Sequence, residues 1–383
     1  MKVLLAHTTY QQAGGEDTVF RSEVELLRAN GVSVVEFIKS NDALSEMSKK
    51  ESIQTTLWNE SLKEELKAVL REENPDVAHF HNTFPFMSPA AYVACQEMKI
   101  PVVKTLHNYR LLCPNALFFR DGHACEDCLT KSFKWPAIVH SCYRESRAAS
   151  SVVAYLLASK KSVYHSAINR YLCLTEFAKR KHIEGGYPAE KLSVKQNFMV
   201  TDPGVGEGGG GYALFVGRLT AEKGADTLIK AWTKAEPELK LVVIGDGPML
   251  DELKVQAQGH NIEFWGRKSR QEVLEILQRA EVVIIPSRVY EGLPMSLVEG
   301  YACGTPVIAP EHAALPELIG DGGWLYPPND SQALAELISK LSLEDYRIKR
   351  SSARAIYVQN YTPEVNFKLL EQIYQDVIRS NTR

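Results

Sequence analysis

Short apolar runs rich in β-branched residues alternate with stretches of helical spacing along this chain, and the alternation leaves few folds open. In the second half, strands are predicted over Tyr212–Val216, Lys240–Ile244, Ile262–Trp265 and Val282–Ile285. Helical spacing fills the gaps between them, over Ala225–Trp232, Met249–Gln256 and Arg270–Leu277. Strands joined through helices are parallel neighbours, not hairpins, and helices then cover both faces of the sheet. The first half reads the same way. Strands are predicted over Lys2–His7, Val32–Ile38, Asp76–Phe80, Pro101–Leu106 and Tyr171–Leu174, and helices over Thr18–Asn30 and Leu62–Arg71. Ser146–Asn169 reads as one long helix or two joined ones, and Thr175 is the N-cap of another. Residues 41–61 are polar and irregular and receive no assignment. Asp202–Gly211 interrupts the pattern with six glycines in ten positions, which neither a helix nor a strand supports. A domain boundary and a hinge are expected there.

The chain has 383 residues, which at ~150 per domain suggests two or three domains. Its 45% apolar and 24% charged residues are those of a soluble globular protein. A net charge of -3 gives no general attraction to nucleic acid. No apolar run approaches the ~18 residues that cross a bilayer. Met1 leads straight into a strand without a signal-peptide pattern, and seven cysteines, an odd number, do not suit a secreted disulfide framework. A cytoplasmic location is expected.

The chemistry concentrates after two strands. Beyond Val282–Ile285 a loop punctuated by Pro, Ser and Gly runs to Pro294, and a helix follows over Met295–Ala302, stopped by Cys303-Gly-Thr-Pro306. Glu291 lies on the loop and Glu299 eight positions later on the helix. Two acids at the carboxyl end of a parallel sheet suit hydroxyl groups, which carboxylates bind through charge-assisted hydrogen bonds. A sugar at Glu291 and a ribose at Glu299 fit that chemistry. After Tyr212–Val216 comes Gly217-Arg218-Leu-Thr-Ala-Glu-Lys223-Gly224, where a guanidinium and an ammonium on a flexible turn suit a diphosphate. Near the N-terminus, Gly14 and Gly15 precede a helix start, where backbone N–H groups can approach a diphosphate or an acceptor.

The run E-G-L-P-M-S-L-V-E followed by C-G-T-P-V-I resembles the E-x7-E signature of the retaining family 4 glycosyltransferases, and G-R-L-x-x-E-K-G resembles that family's phosphate-binding segment. The resemblance implies an α/β chain of GT-B architecture, with two Rossmann-like doubly wound parallel-sheet domains facing a cleft. Residues 1–201 would bind the acceptor and 212–361 the nucleotide sugar, and the helix within 362–383 would cross back onto the N-terminal domain. It implies catalytic roles for Glu291, Arg218, Lys223 and His107, the last on the turn after Pro101–Leu106. It further implies nucleotide-sugar binding by Gly14, Gly15, Gly217, Arg218, Lys223, Arg267, Glu291, Gly292, Leu293, Pro294, Met295, Ser296 and Glu299. The family commonly has Asp after the histidine, where this chain has Asn108. The implied donor is a nucleoside-diphosphate sugar, UDP-hexose above all. The implied acceptor is a polysaccharide, glycolipid or lipid-linked oligosaccharide. No Asp-x-Asp stands where such enzymes hold a divalent ion, so protein cations are expected to replace a catalytic metal. An epimerase or phosphorylase of the same fold, or a non-catalytic nucleotide-sugar-binding module, stays open.

Three further patterns stand outside that core. His79 and His81 fall on one face of their strand, but no third metal ligand is evident beside them, so packing or acceptor contact is expected. Residues 131–181 carry ten lysines and arginines against two glutamates among interleaved apolar residues, which suits peripheral docking on anionic lipid at the inner face of a membrane. Cys113, Cys125, Cys128 and Cys142 bracket a C-x2-C pair behind Asp121-Gly122, a spacing that suggests a closed structural zinc site.

Overall fold

The computed structural model describes residues 1–9 and 14–381. The chain divides into two compact units. One comprises Met1–Leu117, Glu126–Gln196 and Pro363–Arg383, the other Phe118–Cys125 and Asn197–Thr362.

The strands of the first unit are β1 (Lys2–Thr9), β2 (Ser33–Ser40), β3 (Val77–Phe80) and β4 (Val102–Leu106). A two-stranded hairpin of the second unit follows, β5 (Phe119–Arg120) and β6 (His123–Ala124), and then β7 (Arg170–Cys173) and β8 (Leu192–Val194) complete the first unit. The six first-unit strands form one parallel sheet in the order β2-β1-β3-β4-β7-β8. Helix Gly15–Ala29 packs on it through Phe20, Val24 and Leu27, spaced 4 and 3 residues apart along one helical face. Helix Pro363–Asn381 adds Leu370, Ile373, Tyr374 and Val377 to the same core, beside Val3, Leu5 and Leu172. Truncating Leu370 to alanine there is expected to cost about 2–5 kcal/mol.

The second unit holds β9 (Tyr212–Val216), β10 (Lys240–Ile244), β11 (Ile262–Gly266), β12 (Val282–Ile284), β13 (Val307–Pro310) and β14 (Gly323–Tyr326). They too form one parallel sheet, in the order β11-β10-β9-β12-β13-β14. That is the third, second, first, fourth, fifth and sixth strand in chain order, the arrangement of a dinucleotide-binding sheet. The order reverses between β9 and β12 here and between β1 and β3 in the first unit, and ligand crevices open at the carboxyl ends of strands at such points.

Two segments differ from the sequence reading. Residues 41–61 contain a helix, Lys49–Leu57, started by a reciprocal cap between Ser48 and Glu51. Thr56 is its one buried residue, so it has no apolar stripe to betray it. The glycine run 202–211 is not slack. Gly206, Gly208 and Gly210 donate backbone hydrogen bonds to the carbonyls of Cys303, Gln278 and Arg279 within the second unit. A Cβ on Gly206 would lie 2.1 Å from the Gln278 carbonyl oxygen, so this glycine is needed for close approach of two backbones. Arg350 clamps the strip from the other side, donating to Gly206 O and Gln278 O.

Candidate active site

At the reversal point of the second unit, the loop after β9 and the loop after β12 touch. Gly224 is left-handed (φ +69°), and a Cβ there would meet the Pro286 carbonyl oxygen at 2.0 Å, so only glycine lets the loops close. Arg288 N–H donates to Glu222 O at 2.9 Å. Its guanidinium reaches Asp226 at 2.7 Å and Thr227 at 2.6 Å on the helix Ala225–Ala235. The scaffold under the site is therefore cross-braced by residues that take no part in it.

On that scaffold Lys223 Nζ donates to Glu291 Oε1 at 2.7 Å, and Ser287 Oγ donates to the same oxygen. Burial pushes the Glu291 carboxyl up; Lys223 and the Ser287 hydroxyl overcome that and hold it below the ordinary range. It stays an ionised acceptor. Arg218 is exposed, and among the described residues its guanidinium has no ion-pair or hydrogen-bond partner. Helix Met295–Ala302 begins beside them. Leu297 and Val298 return their N–H groups to Pro294 O, which leaves those of Met295 and Ser296 without a backbone partner. The Lys223–Glu291 contact thus joins the two strand-end loops, with Arg218 on the first loop and the open helix start four residues past Glu291 on the second.

Glu299 stands apart from this pair. It is largely buried on its helix, its carboxyl is pushed up by burial, and Arg270 opposes that shift from 3.4 Å. Arg267 is exposed and pairs with Asp246 at 3.3 Å. Asp246 belongs to the turn Gly245-Asp-Gly-Pro248, whose glycines press on the phosphate-loop candidate: a Cβ on Gly245 would lie 1.9 Å from Gly217 O, and one on Gly247 2.4 Å from Leu219 O. Close packing of adjacent loops, and not the turn alone, accounts for that motif.

The first unit has a separate pocket at its own reversal point. His81, Thr83, Lys104, His107, Asn108 and Arg110 line it opposite Leu156 and Leu157. Lys104 is buried, donates to His81 O and Thr83 Oγ1 at 3.2 Å each, and burial pushes its ammonium down to about 7. Asn108 Nδ2 donates to Glu16 at 2.9 Å, which gives the position where family 4 commonly has Asp a hydrogen-bonding role instead. Gly14 and Gly15 have open space where a Cβ would stand, and Gly14 N–H is engaged by Asp17 at 2.8 Å. With Glu16 and Asp17 in the first turn, this helix start suits hydroxyl groups better than a diphosphate. The middle of the glycine loop, residues 10–13, lies outside the described residues.

Two family models match, "Glycosyl transferases group 1" over residues 206–374 and "Glycosyltransferase Family 4" over residues 13–202. The uncharacterized glycosyltransferase MJ1178 of Methanocaldococcus jannaschii is 33% identical over 288 residues, which cover 72% of this chain and 68% of that one. The chain belongs to the GT-B glycosyltransferases. The amylovoran biosynthesis glycosyltransferase AmsK of Erwinia amylovora is 30% identical over 178 residues, 42% of this glycosyltransferase and 44% of that protein. The match thus spans less than half of that relative's length. Anabaena HepE, solved in complex with UDP, superposes with a TM-score of 0.69 at 17% identity, over 98% of this chain and 100% of that one.

Sequence reasoning passed over several groups that this glycosyltransferase places in its sites. Ser287, against Glu291, and Arg270, against Glu299, each look like ordinary loop or helix polar residues in sequence. Glu23 carried a readable signal, because it falls on the apolar stripe of Phe20, Val24 and Leu27. It is the third group beside His79 and His81 that the sequence did not disclose, and the ligand atoms of the three lie within 4.8 Å of one another. The basic segment also differs from expectation. Val153, Leu156 and Leu157 face inward, and Lys134 is buried, donating to the Cys128 and Leu129 carbonyls. Phe133, Trp135, Val139 and Tyr155 are its exposed large apolar groups. Among the cysteines, the Cys128 thiol is pushed up to about 12, first by burial and then by the neighbouring Cys113 thiol, with Cys142 adding to it.

Proposed function

We propose that this glycosyltransferase moves a hexose from a nucleoside-diphosphate sugar, UDP-hexose first among them, to a glycan, glycolipid or lipid-linked acceptor, with retention of anomeric configuration and without a catalytic metal. The observation that carries the reading is the Lys223–Glu291 pair beside the unengaged Arg218 at the reversal point of the second sheet. Breaking the anomeric C–O bond builds positive charge on the sugar and negative charge on the departing diphosphate. Arg218, Lys223 and the N–H groups of Met295 and Ser296 would take up the negative charge, an electrostatic contribution that typically dominates such catalysis. Glu291, kept ionised, would accept hydrogen bonds from sugar hydroxyls, and Glu299 from the ribose. HepE, which shares the fold, was solved with UDP and with UDP-glucose, and AmsK is named for amylovoran biosynthesis; both support this choice of donor and acceptor class.

Incubation with a panel of nucleotide sugars, with the released sugar followed by proton NMR, tests the reading. Slow hydrolysis of one donor, giving first the anomer that the donor carried, is expected. Inversion would remove the retaining assignment; epimerised nucleotide sugar, or binding without turnover, would favour the alternatives. Two subsidiary proposals accompany this one. Exposed Phe133, Trp135 and Val139 with the basic residues around them would dock on anionic lipid, and flotation without binding to phosphatidylglycerol vesicles at low salt would end that idea. A structural zinc on the cysteines of residues 113–142 would need their thiols drawn together, since the group close enough for a metal among the described residues is Glu23, His79 and His81; well under one zinc per chain in protein purified without chelator would end that one.

A further inference from the structure

Glu23, His79, His81 and Lys195 form a buried charged cluster beneath His107. Glu23 Oε1 lies 2.8 Å from His79 Nδ1 and 3.1 Å from His81 Nε2, and its other oxygen accepts from Lys195. His81 Nδ1 in turn lies 2.9 Å from His107 Nε2, with the two rings stacked at 5.1 Å between centroids. His107 lines the first unit's pocket and is largely buried, and its Nδ1 has no hydrogen-bond partner among the described residues.

The donors and acceptors in this chain can be ordered from one end. Burial pushes the Glu23 carboxyl up, but Lys195 and the two histidines overcome that and hold it well below the ordinary range, so it is ionised and only accepts. His81 Nε2 must then carry a hydrogen. Burial lowers His81 to about 3, so the ring is neutral and its Nδ1 is a bare lone pair. That lone pair has to be met by a hydrogen on His107 Nε2. Burial also keeps His107 neutral, which leaves its Nδ1 bare.

We propose that Glu23 and His81 are positioning residues that lock His107 in the tautomer whose bare Nδ1 is offered to the pocket, where it accepts a hydrogen bond from a substrate sugar hydroxyl. The substrate part of this inference rests on the glycosyltransferase reading above; the tautomer does not. A metal held by Glu23, His79 and His81 is the rival arrangement, since their ligand atoms lie close enough together. It would need the Lys195 ammonium moved from Glu23, and it would take the His81 Nε2 lone pair that hydrogen bonding to Glu23 requires to be protonated. His79 is further committed, to Thr105 Oγ1 at 2.8 Å and Tyr374 OH at 2.7 Å.

Two-bond proton–nitrogen correlation spectra of the full chain labelled with ¹⁵N-histidine read the tautomer directly, with His107→Gln assigning the resonance. A protonated Nε2 and bare Nδ1 on His107 are expected in the unsubstituted protein. In His81→Leu the His107 signals should move toward mixed tautomers, and His81→Gln should restore them, because a glutamine amide donates to Glu23 and accepts from His107. Transfer should fall at least about 10-fold in His81→Leu, the worth of one misaligned hydrogen bond, and recover in His81→Gln. A protonated Nδ1 on His107, an unchanged tautomer in folded His81→Leu, or a divalent metal in the purified protein that Glu23→Gln removes would each overturn the proposal. If His81→Leu does not fold, the tautomer of the unsubstituted protein still decides. The expected tautomer in a protein inactive on every nucleotide sugar would instead count against the functional reading alone.

Discussion

Glu23 in the first unit and Glu291 in the second are both carboxylates that a lysine helps to keep ionised, yet their surroundings differ. The side chains of Lys195 and Glu23 are 1% and 0% exposed, whereas those of Lys223 and Glu291 are 35% and 11% exposed. Glu23 has three partners in place and no route for a fourth. Glu291 has a lysine that water already reaches, with an unengaged arginine on the same loop. A saturated buried pair cannot exchange partners without leaving a charge stranded, which costs far more than the pair itself contributes. A half-exposed pair can share its lysine with an incoming anion. The first arrangement suits a structural anchor that orients a neighbour, the second a site that binds and releases charge.

Removing the lysine from each pair should separate the two. Lys195→Met is expected to lower the unfolding free energy by about 3–5 kcal/mol, because it leaves Glu23 buried and unpaired; urea denaturation measures it, and a change below 1 kcal/mol would erase the distinction. Glu291→Ala or Lys223→Ala should lower transfer at least about 100-fold, the scale of removing a leaving-group stabiliser, with the urea midpoint little changed. Near-normal turnover in both would remove the catalytic assignment.

Acidification should act on the first unit's cluster. His81 is lowered to about 3 in the fold, against about 6.5 in the unfolded chain. Between those values the unfolded chain binds a proton that the folded chain does not, so stability rises with pH across that window and falls on acidification. The slope should approach about 1.4 kcal/mol per pH unit for each such histidine, and urea midpoints from pH 7 to pH 4 would show it. Below that, the anchoring of Glu23, whose carboxyl is depressed, is lost in turn as the pH falls through its folded value. A midpoint flat from pH 7 to pH 4 would contradict the buried neutral histidine. Arg218→Ala and Glu299→Ala should leave stability alone and weaken nucleotide affinity by about 5- to 10-fold, read by calorimetric titration with UDP. An unchanged affinity in Glu299→Ala would remove the ribose role.

Much of this was legible in the sequence because it rests on period. The strands from Tyr212 to Ile284 announce themselves as apolar β-branched runs, and helix Met295–Ala302 by its spacing and its Cys-Gly-Thr-Pro stop. Helix Lys49–Leu57 was not legible, since it buries almost nothing and its capping pair is the sole mark it leaves. The glycine run read as slack chain because sequence cannot distinguish a glycine that frees the backbone from one that lets two backbones meet. Pairings were the least legible. Nothing in the order of residues joins Glu23 to Lys195 across 172 positions, or Lys223 to Glu291 across 68, because the sheet order creates those neighbours. Local pattern supplies the elements, and long-range register supplies the chemistry.

Donor hydrolysis by the intact chain and by Lys223→Met, run side by side on the same nucleotide-sugar panel, decides whether Lys223 stabilises the departing diphosphate. The unsubstituted protein is expected to release sugar from one nucleoside-diphosphate donor, and the Lys223→Met protein, equally folded, to do so at least about 100-fold more slowly. Equal rates in the two proteins, or no donor consumed by either, would contradict it.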